Sequence, residues 1–281
     1  MPHVFAAPRT RATLSDVRWL LVTAVLLLSA ACGGPPGGPT GGSGATSTGG
    51  SGGVPTGFEV LGTLPHDTGA FTQGLELVDG VLYEGTGLEG RSSIRRLDPA
   101  TGVVERRVDL PGDLFGEGIT VVEDRLWQIT WRNGVAIERD RETLEEVRRV
   151  TYEGEGWGLC RDGERLVMSD GTDELTFRDP VTFAETGSTG VTRDGRPVTE
   201  LNELECVGDR VWANVWQTDE VVRVDPADGR VDATVDLSGL RPAGVPAADV
   251  LNGIAAVPGT DEFLVTGKNW PTIFRIRFTA G

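Results

Sequence analysis

Histidine and helical periodicity are scarce in this chain, and each shortage excludes a class of chemistry. Only two histidines occur in the 281 residues, and only His66 lies outside the N-terminal leader. Histidine general bases and His-rich metal sites are therefore largely excluded. No stretch of useful length shows the apolar period of an amphipathic helix, so no glycine-rich loop can open a helix to bind phosphate. Carboxyl, amide, aromatic and lysine side chains remain as the candidates for catalysis.

The chain also lacks an apolar run long enough to span a bilayer. The apolar stretch Trp19–Leu28 is shorter than the roughly 20 residues of a spanning helix. Basic residues precede it: Arg9, Arg11 and Arg18. Small residues then lead to a cysteine in Ser29-Ala30-Ala31-Cys32, which resembles a bacterial lipoprotein cleavage site. We interpret residues 1–32 as a lipoprotein-type signal peptide with lipidation at Cys32, and an ordinary signal peptide cut nearby is the alternative.

The segment after the leader has almost no residues that could build a core. Residues 33–56 are nearly all Gly, Pro, Ser and Thr, which indicates a disordered tether. Removing three arginines and one aspartate of the leader from the formal charge of -16 leaves -18 for the domain at 57–281. This acidity argues against nucleic acid and anionic lipid as partners. We therefore expect an exported, monomeric, cell-envelope protein that touches the membrane's outer face only through its lipid anchor.

Five tripeptides share one pattern and recur about every 40 to 50 residues. They are Gln73-Gly74-Leu75, Glu117-Gly118-Ile119, Trp157-Gly158-Leu159, Asn202-Glu203-Leu204 and Asn252-Gly253-Ile254. Each precedes a strand-like run, and its first residue varies. A fixed period with one variable position is how a repeat architecture builds a site that does not itself repeat.

Turn residues divide the domain into short strands, four in each of the first four repeats and three in the last. The segment Phe58–Pro65 precedes the first repeat and resembles that repeat's fourth strand, Val104–Pro111. An all-β fold, a five-bladed β-propeller closed by the N-terminal strand, explains both facts. A β-sandwich is the main alternative, but it gives no reason for the repeat.

A propeller brings the variable residues of its repeats together. The innermost strand of each blade lines the axis, so the residue at its start should point into the mouth of the channel. The tripeptides would bring Gln73, Glu117, Trp157, Asn202 and Asn252 to this mouth. The ends of the second strands would add Glu84, Trp131, Trp216 and Lys268.

Two of these residues are chemically distinctive. Lys268 is the one lysine among 26 basic Lys and Arg residues, which suggests a place that needs a compact ammonium group. Glu117 lies between two glycines, and tryptophans around it would desolvate its carboxyl and raise its pKa, as a proton shuttle requires. Glu84 is an alternative for that role, although it lies beside a flexible Gly-Thr-Gly segment.

The two cysteines of the domain, Cys160 and Cys206, each follow a tripeptide closely. If the tripeptides meet at the axis, the cysteines also lie near each other, and a disulfide is expected in an exported protein. Two buried free thiols are the alternative. Their position beyond the channel mouth argues against a thiol nucleophile.

Seven motifs are spread over the whole domain: Phe71–Leu75, Leu82–Gly87, Phe115–Ile119, Gln128–Trp131, Gly156–Leu159, Leu201–Glu205 and Thr266–Trp270. Together they resemble the glutamine cyclotransferase family, the plant and bacterial type of glutaminyl-peptide cyclotransferase. The resemblance implies a five-bladed propeller that cyclises the N-terminal glutamine of peptides to pyroglutamate and releases ammonia. It implies that Glu117 is the catalytic acid/base. It also implies a pocket lined by Phe71, Gln73, Phe115, Trp131, Trp157, Asn202, Trp216 and Lys268.

The expected chemistry is intramolecular aminolysis, which needs no enzyme nucleophile, cofactor or metal. Glu117 would move the proton, while Lys268, Asn202 and Gln73 would orient the amide and stabilise the oxyanion. Two alternatives stay open at this point. One is a calcium-dependent lactone or sugar-acid hydrolase with oxygen ligands from Glu84, Glu117, Asn202 and Asn252. The other is a non-catalytic propeller that binds peptides in the cell envelope.

Overall fold

The computed structural model describes residues 53–280. The predicted signal peptide, 1–32 with Cys32, lies outside the described residues, as does the predicted tether up to residue 52. Within the described range, no helix is both long and apolar enough to cross a membrane. The first strand, β1 (Pro55–Pro65), begins two residues before the predicted boundary at 57, because Pro55 already pairs with Ala280.

Five β-sheets follow one another along the chain, and in each of them the successive main strands of the blade pair antiparallel with their neighbours. Blade one contains β2 (Thr72–Val78), β3 (Val81–Thr86), β4 (Ser93–Leu97) and β5 (Val104–Asp109). Blade two contains β6 (Gly116–Val122), β7 (Arg125–Thr130), β8 (Val135–Asp140) and β9 (Glu146–Thr151). Blade three contains β10 (Leu159–Asp162), β11 (Arg165–Ser169), β12 (Glu174–Arg178) and β13 (Glu185–Gly190).

The last two blades carry the departures from a plain repeat. Blade four contains a short hairpin, β14 (Thr192–Arg193) and β15 (Arg196–Pro197), before β16 (Leu201–Val207), β17 (Arg210–Val215), β18 (Glu220–Asp225) and β19 (Arg230–Asp236). A 3-10 turn, Ser238–Leu240, leads to blade five, which contains β20 (Leu251–Ala256), β21 (Glu262–Gly267) and β22 (Thr272–Ala280). No sequence pattern indicated the hairpin.

The N-terminal strand closes the ring, as predicted. Strand β1 pairs antiparallel with β22, with Phe58 opposite Phe278 and Val60 opposite Ile276, and becomes the outermost strand of blade five. The two ends of the ring are therefore joined by a strand ladder, so the last blade has no unpaired gap where its fourth strand is missing. This confirms the five-bladed, all-β prediction.

The hydrophobic core lies mainly between neighbouring blades. One cluster joins Leu75 and Leu82 of blade one to Leu264 and Ile273 of blade five. Another joins blades three and four, and it includes Cys160 of β10. Cys160 forms a disulfide with Cys206 of β16, with 5.5 Å between the Cα atoms. Alternating strand residues thus bury one apolar face against each adjacent sheet.

Glycine after the variable residue lets the innermost strands approach the axis. A Cβ atom on Gly158 would lie 2.0 Å from the carbonyl oxygen of Asn202, a distance that no side chain tolerates. Blade four has Glu203 at this position instead. Its carboxyl accepts hydrogen bonds from the backbone N–H groups of Leu75, at 3.1 Å, and Ile254, at 2.8 Å. Glu203 therefore connects blade four to blades one and five across the axis.

Candidate active site

A cavity of about 280 Å³ lies at the mouth of the axial channel. Its lining consists of ten residues: Phe71, Gln73, Phe115, Glu117, Trp131, Trp157, Asn202, Trp216, Ala248 and Lys268. We call this cavity the axial cup. The structure thus brings together the nine residues that the family resemblance implied for the site, but not Glu84 and Asn252, which the repeat also placed at the mouth. Ala248, from the loop before β20, is the addition that no repeat position indicated.

Strand starts and strand ends position the cup residues. Gln73, Glu117 and Asn202 lie in the first residues of β2, β6 and β16, while Trp131 and Trp216 directly follow β7 and β17. Both sets lie at one end of the ring because the first strand of a blade runs antiparallel to the second. Asn252 of β20 does not line the cup. Its Nδ2 donates to the backbone oxygen of Thr72, at 3.0 Å, and to Oε1 of Gln73, at 3.1 Å.

Glu117 is a buried carboxyl with one oxygen held and the other free. Its Oε1 accepts a hydrogen bond of 2.8 Å from Nε2 of Gln73. Its Oε2 is buried and has no hydrogen-bond partner among the described residues. The side chain is only 4 % exposed, and burial raises its pKa well above the ordinary value, an effect that Lys268 partly opposes. A carboxyl whose pKa is raised in this way is suited to accept and donate a proton during catalysis.

Lys268 supplies the positive charge of the cup. It follows β21, and its backbone N–H donates to the carbonyl oxygen of Val250 at 2.9 Å. Its Nζ lies 4.8 Å from the centre of the Phe71 ring, within range of a cation–π interaction. Burial lowers the pKa of Lys268, while the charge of Glu117 opposes this shift. The two groups therefore influence each other across the cavity that both line.

Aromatic rings form most of the wall. Trp157 and Trp216 meet edge to face with 5.5 Å between ring centres. Phe115 lies against Trp131 at 5.4 Å and against Phe71 at 6.2 Å. These contacts restrain the rings and give the cup an apolar lining around its few polar groups.

Glu155 holds two of the wall tryptophans, and the sequence analysis missed this role. Its carboxylate accepts hydrogen bonds from Nε1 of Trp131, at 2.7 Å, and Nε1 of Trp157, at 3.0 Å. Arg132 donates to the other carboxylate oxygen at 2.8 Å. The available signal was a glutamate flanked by glycines, the same pattern that identified Glu117. Glu155 therefore fixes the angle at which both indoles face the cavity.

Glu84 does not lie in the cup, contrary to prediction. It is buried between blade one and the loop before it, where Oε1 lies 2.8 Å from Nε2 of His66 and accepts a 2.8 Å hydrogen bond from Thr72. Arg95 approaches its other oxygen at 3.5 Å. His66 and Arg95 outweigh the effect of burial and lower the pKa of Glu84. Glu84 is thus a paired carboxylate with a structural role, and the repeat could not show this.

The residues proposed as calcium ligands do not converge. Glu84 is paired with His66, whereas Glu117 and Asn202 line the cup. Among residues 53–280, no group of three or more His, Cys, Asp or Glu side chains is arranged to hold a metal ion. Asn202 does present a buried Oδ1 that has no partner within the described part of the chain. One free amide oxygen in a cavity that also holds an ammonium group suits a polar substrate atom better than a divalent cation.

Fold and site together define a β-propeller enzyme with a buried acid and a buried ammonium group in an aromatic cup. A family model described as glutamine cyclotransferase matches residues 42–278. Glutaminyl-peptide cyclotransferase of Arabidopsis thaliana is 41 % identical over 225 residues, which cover 78 % of this chain and 70 % of that protein. The crystal structure of glutaminyl cyclase from Myxococcus xanthus superposes with a TM-score of 0.76 at 36 % identity, over 81 % of this chain and 98 % of that one. The chain belongs to the glutamine cyclotransferase family.

Proposed function

We infer that this protein is a glutaminyl-peptide cyclotransferase, which converts the N-terminal glutamine of peptides to pyroglutamate and releases ammonia. Family membership gives the reaction, as its relatives' names state. One observation in the cup carries the assignment. A carboxyl with a raised pKa has one oxygen fixed by Gln73 and the other unpartnered, in a cavity that also holds an ammonium group.

The reaction closes a ring within one substrate molecule. The neutral α-amine attacks the side-chain carboxamide carbon, a new C–N bond forms, and the bond to the amide nitrogen breaks. A free α-amine has a pKa of about 7.7–8.0, so a useful fraction is already neutral at pH 7. Because both reactants belong to one molecule, the protein mainly has to hold the folded-back rotamer. The aromatic walls, fixed by Glu155, suit this task and exclude the water that would hydrolyse the amide to glutamate.

Glu117 acts as the proton shuttle in this proposal. Its free Oε2 takes a proton from the attacking amine and then gives it to the departing ammonia, so the protons balance. Gln73 has a more specific part than predicted. Its Nε2 donates to Glu117 and its Oε1 accepts from Asn252, so it orients the shuttle. Lys268 and the Nδ2 group of Asn202, both hydrogen-bond donors, remain to stabilise the developing oxyanion, and one such interaction contributes about 2.7–4 kcal/mol.

Ammonia release from a peptide that begins with glutamine tests the proposal. We expect turnover by the wild-type protein, with a product lighter than the substrate by one ammonia. Glu117→Gln should lower kcat by about 10²–10⁴-fold, the usual contribution of a general acid/base. Glu142→Gln, which neutralises an exposed carboxyl before β9, is the matched control and should keep the wild-type rate. Wild-type turnover by Glu117→Gln would exclude Glu117 as the shuttle.

We also propose that the protein is exported, anchored through a lipid on Cys32, and monomeric. The leader and tether patterns support the first two points, and the Cys160–Cys206 disulfide fits an oxidising compartment. Cys32→Ala should move the protein from the membrane fraction to the soluble exported fraction. An unchanged membrane fraction would contradict the anchor. Sedimentation of the 57–281 domain tests the monomer.

A further inference from the structure

A second cavity adjoins the axial cup at Trp216, and the function described above does not use it. Its volume is about 650 Å³, and it lies between the β14–β15 hairpin and the C-terminal end of β17. Trp216 lines this cavity as well as the cup. We call it the blade-four groove. A peptide whose first residue fills the cup needs a path for the rest of its chain, and the groove begins at the wall of the cup.

The boundary between cup and groove is built from backbone contacts at Glu200. Its N–H donates to the carbonyl oxygen of Gly171 at 2.7 Å, and its own carbonyl oxygen accepts from the N–H of Trp216 at 2.8 Å. Gly171 in turn lies against Trp157, so closely that a Cβ atom there would be 2.6 Å from the indole. Glu200 is therefore fixed beside the pair of tryptophans that separates the cup from the groove.

The hairpin that forms the other wall is firmly attached to blade four. Thr192 donates from its backbone N–H to Gly229 at 2.8 Å, and Val198 donates to Val191 at 3.0 Å. The side chains of Val191 and Val198 are buried in the core between blades three and four. Asp194 and Gly195 both have positive φ, at 54° and 76°, which is the geometry of a tight hairpin turn. No other blade in the described part of the chain carries such an insertion.

The groove has unpaired charges of mainly one sign. Arg193 is already paired with Glu220, at 3.0 Å. Asp194, Glu200 and Arg196 also line the groove, and none of the three side chains forms an ion pair among residues 53–280. The groove therefore contains two unpaired carboxylates and one unpaired guanidinium, on a domain whose overall charge is strongly negative. Such a surface favours cationic side chains over anionic ones.

We propose that the blade-four groove binds the residues that follow the N-terminal glutamine of a peptide substrate, and that it favours lysine or arginine among them. This inference rests on the proposed cyclotransferase activity. Glu200 is the main determinant because its backbone contacts Trp216, which lines both cavities, and Asp194 at the turn acts on residues farther along the peptide. The groove thus decides which peptides are processed efficiently, while the cup performs the chemistry.

Three synthetic substrates test the proposal: Gln-Ala amide, Gln-Ala-Lys-Ala amide and Gln-Ala-Glu-Ala amide. In low salt, the wild-type protein should have a higher kcat/KM for the lysine tetrapeptide than for the glutamate tetrapeptide. Partly exposed charge pairs contribute about 0.2–1 kcal/mol each, so two carboxylates predict a ratio of roughly two- to thirtyfold. The ratio should fall when the ionic strength is raised, because salt screens exposed charges.

Glu200→Gln and Asp194→Asn should each reduce this ratio, whereas Glu142→Gln, on another blade, should leave it unchanged. Asp194 is exposed at the tip of a turn, so its variant remains informative even if Glu200→Gln does not fold. Equal kcat/KM values for the two tetrapeptides, or a ratio that neither variant changes, would overturn the proposal. Absence of turnover with Gln-Ala amide would instead contradict the cyclotransferase function itself, so the two failures can be told apart.

Discussion

Replacing His66 by glutamine would remove the positive partner of the buried Glu84 carboxylate. Nδ1 of His66 donates to the carbonyl oxygen of Trp270 at 2.8 Å, which leaves Nε2 to contact Glu84, also at 2.8 Å. Both side chains are fully shielded from solvent. The backbone N–H of His66 donates to the carbonyl oxygen of Pro271, in the segment that carries Lys268. Glu84 accepts a hydrogen bond from Thr72, the neighbour of Gln73. The pair of His66 and Glu84 therefore connects these two segments.

The expected loss of stability depends on the contacts that Glu84 keeps in the variant. Breaking a buried ion pair by removing one partner costs about 3–5 kcal/mol, because the remaining charge is left without compensation. Glu84 retains the hydroxyl of Thr72 at 2.8 Å and Arg95 at 3.5 Å, so we expect the lower end, about 3 kcal/mol. For a domain of this size, that corresponds to a fall in Tm of roughly 6–12 °C. We also expect a lower kcat/KM, since both tied segments carry cup residues.

The effect should depend on pH in a defined direction. The pKa of His66 is raised above 6.5, chiefly by Glu84 against the opposing effect of burial, so its contribution is complete below pH 6.5 and is lost as the pH rises through the folded-state pKa. The pKa of Glu84 is lowered below 4.5, so its contribution is present above pH 4.5 and is lost as the pH falls through the folded-state value. The His66→Gln defect should therefore be largest between pH 4.5 and 6.5.

Urea unfolding followed by tryptophan fluorescence, at pH 5.5 and pH 9, measures this difference. The double variant His66→Gln with Glu84→Gln should recover part of the loss, because no unpaired carboxylate remains and Arg95 keeps its 2.9 Å contact with Asp67. The reasoning would be refuted if His66→Gln matched the wild type at pH 5.5. A defect of equal size at both pH values would also refute it.

Three further predictions concern the disulfide, the axis and the ammonium group. Replacing both Cys160 and Cys206 by alanine should lower the free energy of unfolding by about 2–4 kcal/mol, measured by thermal or urea unfolding, since the bond closes a 46-residue separation. Gly158→Ala should lower the free energy of unfolding by about 3 kcal/mol and remove most of the activity, because the new Cβ would lie 2.0 Å from a carbonyl oxygen. Gly62→Ala is the control: its Cβ would have no atom within 4 Å, so this variant should unfold like the wild type. Burial lowers the pKa of Lys268 from 10.5, so kcat/KM should fall on the alkaline side before pH 10.5. Lys268→Arg should shift this alkaline decrease in kcat/KM to higher pH, because a guanidinium does not lose its proton. If the decrease stays at the same pH, it reports the titration of another group.

The ring and its closure could be predicted from the chain alone because propeller blades are local structures. Each blade is a meander of neighbouring strands, so its boundaries are marked by turn residues and its repeat phase gives the axial side chains directly. The short last repeat and the spare strand at Phe58–Pro65 already indicated the pairing of β1 with β22. The same phase placed Gln73, Glu117 and Asn202 in one cup, although more than a hundred residues separate the first from the last.

Only the tertiary structure showed which of the two glutamates is available as the acid/base. Glu84 and Glu117 are both buried glutamates near glycines, and the sequence offered both as candidates. Contacts with His66 and Arg95 lower the pKa of Glu84, whereas Glu117, within the described residues 53–280, has only Gln73 as a hydrogen-bond partner, and its pKa is raised. A pKa depends on burial and on partners supplied by other strands, so a linear pattern cannot determine it.

The features outside the repeat were likewise settled in three dimensions. Glu155 acts through two indoles that come from different blades, and the β14–β15 hairpin is attached to blade four through contacts with β19 and the core. Sequence periodicity by itself determined the number of blades, the closing strand and most of the polar and tryptophan residues of the cup, because those depend on position within a repeat. Tertiary contacts decided the direction in which the pKa of each carboxyl is shifted and formed the groove beside the cup, because both depend on neighbours that no repeat encodes.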